Sequence, residues 1–284
     1  TTSTPVAVDA EIAKRLPELY NVNFRGGILM WVPEIFKIEN PAAHMTWNSW
    51  HMSGIERKAI AQGFSFYAPI RYSELPRYYR ESATKPDVAV FQVAPMDEHG
   101  YFNFGPNASH MAACCETSKV VIVEVNENMP VCLGGFENGV HISNVDMIVE
   151  GSNPTIAEMG GGAAATDVDE AVAKLIVDEI PDGACLQLGI GSIPDAVLTF
   201  LGDKKDLGIH SEMVSDGVVD LYEKGVVTCK AKNFHKGKMV ITFLMGTKKL
   251  YEFADDNPAI EMMPVDFVNN PMIIGQNDNL VSIN

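Results

Sequence analysis

The segment from Asp182 to Asp216 holds the residues whose types and spacing suggest chemistry most directly. It contains a glycine-rich turn after an apolar stretch and, further along, the carboxylate of Glu212. The turn consists of Gly189, Ile190, Gly191, Ser192 and Ile193. Backbone N–H groups in such a turn can hold a developing oxyanion while a carboxylate attacks an acyl group. The pairing therefore predicts a site for covalent acyl chemistry.

Glu212 is the candidate nucleophile. A carboxylate that attacks a thioester gives a mixed anhydride and a thiolate, and the thiolate can recombine at the glutamyl carbonyl to give an enzyme thioester. This chemistry requires no metal and no general base, so no metal site is expected. Taken alone, Glu212 is also compatible with a solvated surface carboxylate, and His210 with a histidine of the core. Ser211 lacks the Asp and His arrangement of a hydrolase triad.

Two elements must position the turn. Ala184–Leu188 has the pattern of a buried strand, and Pro194 suits the first turn of a helix that continues to Phe200. The N–H groups would then lie where a strand ends and a helix begins, a place that favours anions and binds ligands in open α/β sheets. A tight turn without a ligand is the alternative. A dinucleotide site is disfavoured because Pro194 replaces the third glycine of that motif.

Strand-like and helix-like segments alternate along the chain, which indicates parallel sheets with helical crossovers and an α/β fold. The strand-like runs are Asp87–Val93, Lys119–Val125, Ala184–Leu188 and Met239–Phe243, and the helix-like ones include Val6–Leu19, Ile55–Gln62, Ser109–Thr117 and Asp167–Glu179. Small residues without periodicity within Glu158–Ala165 suggest a boundary. We therefore predict an N-terminal α/β domain over residues 1–162 and the first part of a C-terminal α/β domain, carrying Glu212, over residues 163–284.

Composition limits the partners and the compartment. A formal net charge of −16 and the lack of a basic run argue against nucleic acid, so an anionic ligand would need local donors. The longest apolar runs, such as Val120–Val125 and Met239–Met245, have the length of strands, which predicts no membrane association and a cytoplasmic protein. The 5 cysteines form no CxxC pair and favour buried thiols over disulfides or zinc.

Several motifs together resemble one known family. They are Pro95–Gly105, Val121–Asn126, His141–Ser143, Asp182–Pro194, Leu207–Gly217 and Ser282–Asn284. In this order they resemble the acetyl-CoA hydrolase/transferase family, and the Gly208–Met213 stretch is most similar to its 4-hydroxybutyrate and butyryl-CoA:acetate CoA-transferases. The resemblance implies two Rossmann-like open-sheet α/β domains, of which the second is incomplete in this chain.

The resemblance also implies a function and roles for the site residues. Glu212 matches the glutamate that becomes a glutamyl-CoA thioester, and residues 189–193 match the turn that contacts CoA, with the Ile190 N–H as oxyanion donor. The implied activity moves CoA between a short-chain acyl-CoA and a carboxylate such as acetate. Coenzyme A would be a substrate, no cofactor would be bound permanently, and the enzyme would be a homo-oligomer.

Two other functions stay open at this point. One is acyl-CoA hydrolysis on the same scaffold, in which water captures the glutamyl intermediate. The other is a CoA-binding or subunit-interaction fragment without activity of its own. The chain opens at Thr1 and stops at Asn284, whereas members of the family extend past both ends, so we expect it to be a piece of a longer enzyme.

Overall fold

A computed structural model of the chain describes residues 2–159 and 165–284. The α-helices of this part are α1 (Ala7–Arg15), α2 (Gly54–Ala61), α3 (Leu75–Glu81), α4 (Met111–Thr117), α5 (Asp167–Asp178), α6 (Ser192–Phe200), α7 (Asp216–Glu223), α8 (Lys248–Ala254), α9 (Val265–Val268) and α10 (Pro271–Ile274). The strands are β1 (Val22–Gly26), β2 (Met45–Ser49), β3 (Ser65–Tyr67), β4 (Val88–Val93), β5 (Tyr101–Asn103), β6 (Val120–Val125), β7 (Gly139–His141), β8 (Met147–Glu150), β9 (Cys185–Leu188), β10 (Gly208–Ile209), β11 (Met213–Val214), β12 (Met239–Ile241), β13 (Phe243–Leu244), β14 (Ile260–Met262) and β15 (Leu280–Ile283).

The predicted α/β class is confirmed, because helices alternate with strands that pair in parallel. The chain groups into two compact units. The first contains the residues up to Asn103, Ala113–Met129 and Val140–Ala157, and the second contains Phe104–Ala112, Pro130–Gly139 and the chain from Glu158 to Asn284. The predicted division between residues 162 and 163 lies outside the described residues and stays a prediction.

The first unit holds two parallel three-stranded sheets, ordered β1-β2-β3 and β4-β6-β8. Strand β6 ends beside Glu124, whose buried carboxylate accepts hydrogen bonds from the N–H groups of Val6 and Val8 where α1 begins. The amide of Gln92 on β4 donates to the same carboxylate at 2.9 Å. A negative charge at a helix N-terminus satisfies N–H groups that have no acceptor within the helix. Glu124 thus fastens α1 to the sheet.

The second unit is built around strand β9. Strands β10 and β15 pair with β9 in parallel on its two sides, in the order β10-β9-β15. The chain that leaves β10 continues as β11, which pairs in parallel with β13, while β12 pairs with β14. The central side chains, such as Leu186, Ile209 and Val240, are completely buried. This apolar interior fixes the strands whose ends carry the candidate residues.

One predicted strand is divided in the structure. The sequence suggested a continuous strand over Met239–Phe243, but β12 ends at Ile241 and β13 begins at Phe243. The division has a cause in hydrogen bonding, because the N–H groups of Thr242 and Phe243 both point to the carbonyl of Glu212. Across residues 2–159 and 165–284, every helix is too short or too polar to cross a membrane.

Candidate active site

The glycine-rich turn lies where β9 ends, as the sequence predicted. Helix α6 begins at Ser192, so Ser192 and Ile193 belong to its first turn and the linking residues are Gly189 to Gly191. Gly189 approaches β15 closely, and a Cβ atom there would lie 2.7 Å from Asn284 Oδ1. Gly191 precedes the helix with a φ of +140°, a conformation that L side chains rarely adopt. Position 191 therefore requires glycine for its backbone conformation, and Gly189 leaves little room for a side chain.

The N–H groups of this turn differ in what they can hold. The Gly189 N–H donates to the carbonyl of Ile283 at 2.7 Å and is used within the sheet. The N–H groups at the start of α6 have no acceptor inside the helix, and the helix dipole makes this end favourable for an anion. The side chains of Ile190 and Ser192 are exposed, so a ligand can reach the turn from solvent. The hydroxyl of Ser192 also contacts the carboxylate of Asp169.

Glu212 lies in a gap between two short strands. Gly208 and Ile209 pair with β9, and Met213 and Val214 pair with β13, which leaves His210, Ser211 and Glu212 between them. The backbone stays in register across the gap, since the His210 N–H donates to Leu186 and the Ser211 N–H donates to Val240. Neighbouring parallel strands end at the same sheet edge, so Glu212 and the turn after β9 lie at adjacent strand ends.

Ser211 joins the two parts of the site. Its buried hydroxyl accepts a hydrogen bond from the N–H of Leu188 at 2.9 Å and donates one to the Leu188 carbonyl at 3.1 Å. Leu188 is the last residue of β9, immediately before the turn. A single side chain therefore fixes the segment of Glu212 against the residue from which the turn departs.

Two partners near the end of α9 contact the residues on either side of Ser211. The side-chain amide of Asn269 donates to Oε2 of Glu212 at 2.5 Å, and Nε2 of His210 donates to the carbonyl of Val268 at 2.9 Å. The half-buried carboxylate of Glu212 is thus held on one oxygen by an amide donor. His210 is buried, and the burial lowers the pKa of its imidazole to about 4. A neutral His210 at pH 7 can donate a hydrogen bond but is a poor proton carrier.

A buried lysine supports the same strand from behind. Lys232 donates through Nζ to the carbonyls of Ile209 and Lys238, each at 2.8 Å. Burial lowers the pKa of this ammonium group. It packs directly against Gly208, where a Cβ atom would lie 2.5 Å from its Cγ. Lys232 therefore fixes the backbone just before His210.

The sequence singled out Glu212 and the turn but missed the residues that hold them. The structure places Glu212 and the turn residues at adjacent strand ends. Asn269 was missed because it lies far along the chain and no motif marks it. From the sequence alone, His210 and Ser211 were interpreted one at a time. Successive side chains of an extended segment point to opposite sides, and this alternation could have predicted that the two residues have different partners. No cluster of His, Cys, Asp or Glu side chains suited to a metal occurs among residues 2–159 and 165–284.

Family models and relatives match this chain closely. Residues 1–158 match the acetyl-CoA hydrolase/transferase N-terminal domain, and residues 246–284 match the C-terminal domain of the same family. The butyryl-CoA:acetate CoA-transferase of Anaerostipes caccae is 61% identical over 99% of this chain, which spans 64% of the length of that relative. The 4-hydroxybutyrate coenzyme A transferase of Clostridium kluyveri is 46% identical over 87% of the chain and 56% of that protein.

Solved structures agree with the sequence matches. The crystal structure of RipA from Yersinia pestis superposes with a TM-score of 0.92 at 34% sequence identity, and the match covers 99% of this chain and 67% of that one. The N-terminal family model alone accounts for more than half of the residues. The chain belongs to the acetyl-CoA hydrolase/transferase family.

Proposed function

We propose that the natural protein containing this sequence is a CoA-transferase that moves CoA between a short-chain acyl-CoA and a carboxylate such as acetate. The observation that carries the proposal is the pairing of a half-buried carboxylate, Glu212, with a glycine-rich turn at the adjacent strand end. The names of the relatives from Anaerostipes caccae and Clostridium kluyveri support the acyl groups, which are 4-hydroxybutyryl, butyryl and acetyl. Coenzyme A is then a substrate and not a resident cofactor.

The proposed reaction passes through Glu212 in two exchanges. An oxygen of the carboxylate attacks the thioester carbonyl carbon and the C–S bond breaks. CoA leaves as a thiolate, and the acyl group stays on Glu212 as a mixed anhydride. The thiolate then attacks the glutamyl carbonyl carbon, which releases the first acid and forms a glutamyl-CoA thioester. The acceptor carboxylate then attacks the glutamyl-CoA thioester, which releases the CoA thiolate and leaves the acceptor joined to Glu212 as a mixed anhydride. The thiolate attacks the acceptor's carbonyl carbon, so the new acyl-CoA leaves and the carboxylate of Glu212 is restored. No proton has to be transferred, so a neutral His210 is compatible with the scheme.

The surroundings of Glu212 suit this chemistry. Asn269 donates to Oε2, so the carboxylate is held in one orientation for the attack. Negative charge develops on the carbonyl oxygen during each attack, and N–H groups fixed by the fold stabilise it without reorganising. The start of α6 supplies such groups, with the Ile190 N–H and those of residues 191–193 as the proposed donors. The net charge of −16 does not oppose the anionic substrate, because these donors act locally and distant charges are screened over about 10 Å.

An exchange assay on the natural protein tests the proposal. We expect acetate-dependent exchange of CoA with butyryl-CoA, and we expect Glu212→Gln to remove it while leaving the fold intact, since the change is nearly isosteric. Glu223→Gln is the matched control, because Glu223 lies in the same unit and its exposed carboxylate pairs with Lys249 at the surface. Release of free CoA that does not require acetate would identify a hydrolase instead.

Trapping the intermediate tests the nucleophile separately. The protein is incubated with acyl-CoA and then with borohydride, which reduces a glutamyl thioester to an alcohol, and the peptides are mapped by mass spectrometry. The reduced residue should be Glu212. A modification at another carboxylate, or exchange that survives Glu212→Gln, would refute the mechanism. The predicted homo-oligomer is a separate proposal, and light scattering at several protein concentrations checks it.

A further inference from the structure

His210 and Glu212 face the same structural element. They are separated by one residue on an extended segment, so their side chains project to the same side while Ser211 projects to the other. Both reach the end of α9, where His210 donates to the carbonyl of Val268 and Glu212 accepts from the amide of Asn269. Because Val268 and Asn269 are adjacent in sequence, the two hydrogen bonds close a small ring between the strand and the helix end.

The chemistry of the imidazole fixes its role in this ring. A carbonyl oxygen can only accept, so the proton of the neutral ring is on Nε2, and Nδ1 has no hydrogen-bond partner among the described residues. The ring is buried, with 1% of its surface exposed, and it lies between the helix end and Phe234. The Val268 carbonyl is one of the last in α9 and needs a hydrogen-bond donor from outside the helix. His210 supplies that donor.

Asn269 depends on this contact for its direction. The N–H of Asn269 donates to the carbonyl of Val265 in the hydrogen bond that ends the helix. The side chain of Asn269 extends toward Glu212. If the Val268 carbonyl lost its donor, the peptide unit between Val268 and Asn269 would keep its N–H bond to Val265 but would no longer be held at its carbonyl. The peptide could then tilt, and the amide would shift relative to Oε2. A displacement of about 1 Å in a catalytic group can lower a rate by about 100-fold.

We propose that His210 is a positioning residue, which holds the peptide between Val268 and Asn269 so that the amide of Asn269 keeps the carboxylate of Glu212 oriented for attack. The inference rests on the proposed role of Glu212 as nucleophile. It assigns His210 no contact with the substrate and no proton transfer.

Two amide substitutions test whether a donor must extend as far as the carbonyl of Val268 or whether any polar side chain at position 210 is enough. In His210→Gln the amide nitrogen takes the place of Nε2 and can still donate to Val268, whereas in His210→Asn the shorter side chain places its nitrogen near Nδ1. We expect kcat for CoA exchange to fall about 10- to 100-fold in His210→Asn and to stay within about threefold in His210→Gln. KM for acyl-CoA should stay within about threefold in both, since neither variant removes a contact that the enzyme makes with the substrate before the reaction. If His210→Asn does not fold, His210→Phe replaces it, because it keeps the ring and removes the nitrogen.

A double-mutant cycle tests whether the loss of kcat on changing His210 depends on Asn269. If His210 acts through Asn269, His210→Asn should lower kcat by less than about threefold when Asn269→Ala is already present. His44→Asn serves as control, because His44 in the first unit also bonds a backbone carbonyl, that of Leu19 at 2.9 Å. It should leave kcat unchanged. All rates are measured well below the unfolding midpoint of each variant.

The outcomes distinguish this inference from the proposed function. A kcat within threefold of wild type in folded His210→Asn overturns the inference, as does an equal loss with and without Asn269→Ala. In either case borohydride trapping at Glu212 would still support the proposed function. Absence of trapping at Glu212 in the wild-type protein would instead overturn the proposed function, and the inference with it.

Discussion

Removing the hydroxyl of Ser211 is the sharpest test of how the site is assembled. This hydroxyl is completely buried and makes two hydrogen bonds to one residue, accepting from the N–H of Leu188 and donating to its carbonyl. Ser211→Ala leaves both backbone groups without these partners in a place that water does not reach. Each unsatisfied buried group costs about 1–3 kcal/mol, so we expect the loss of both partners to lower the free energy of unfolding by about 2–6 kcal/mol. The loss should not be confined to stability, because the same bonds fix Glu212 against the turn.

Urea unfolding and the exchange assay measure the two effects of Ser211→Ala. The matched control is Ser215→Ala, which removes an exposed hydroxyl that bonds Asp195 and should change stability by less than about 0.5 kcal/mol. We expect kcat to fall about 10- to 100-fold in Ser211→Ala, since a misplaced catalytic group costs rate even in a folded protein. A variant within about 0.5 kcal/mol of wild type, or one with reduced stability but unchanged kcat, would refute the reasoning.

Three further predictions concern the turn, the pH dependence and the first unit. Gly191→Ala should lower the free energy of unfolding by more than about 1 kcal/mol, because φ is +140° there; a thermal midpoint equal to that of wild type would contradict this. Burial lowers the pKa of His210 from 6.5 to about 4, so between these values the unfolded chain binds a proton that the folded chain does not. The free energy of unfolding should therefore fall as the pH drops through this window, by up to about 3 kcal/mol. Urea unfolding at several pH values from 7 to 4 should show a weaker dependence of this free energy on pH in His210→Gln than in wild type; an equal dependence would contradict the assignment. Glu124→Gln should destabilise the protein by about 2–3 kcal/mol, because its new NH₂ group would face N–H donors, including that of Gln92; urea midpoints identical to wild type would disprove it.

Local sequence patterns predicted the elements of the site well. The strand at Ala184–Leu188 and the helix after Pro194 appear as β9 and α6, because apolar periodicity and proline placement act over short distances. The division at Thr242 could not be predicted in the same way, since its cause is the carbonyl of Glu212 on a neighbouring strand. Asn269 was missed for a related reason, because its contact with Glu212 depends on the folded path of the intervening chain. Patterns within one element carry no information on partners of this kind.

The gap between β10 and β11 explains how one tripeptide serves several partners. In a continuous strand, the backbone of residues 210–212 would pair regularly with both neighbours, and the side chains would pack into the core or face solvent. Here the hydroxyl of Ser211 replaces backbone pairing with Leu188, so the sheet stays joined while the strand is interrupted. The interruption leaves Glu212 half-buried and within reach of Asn269.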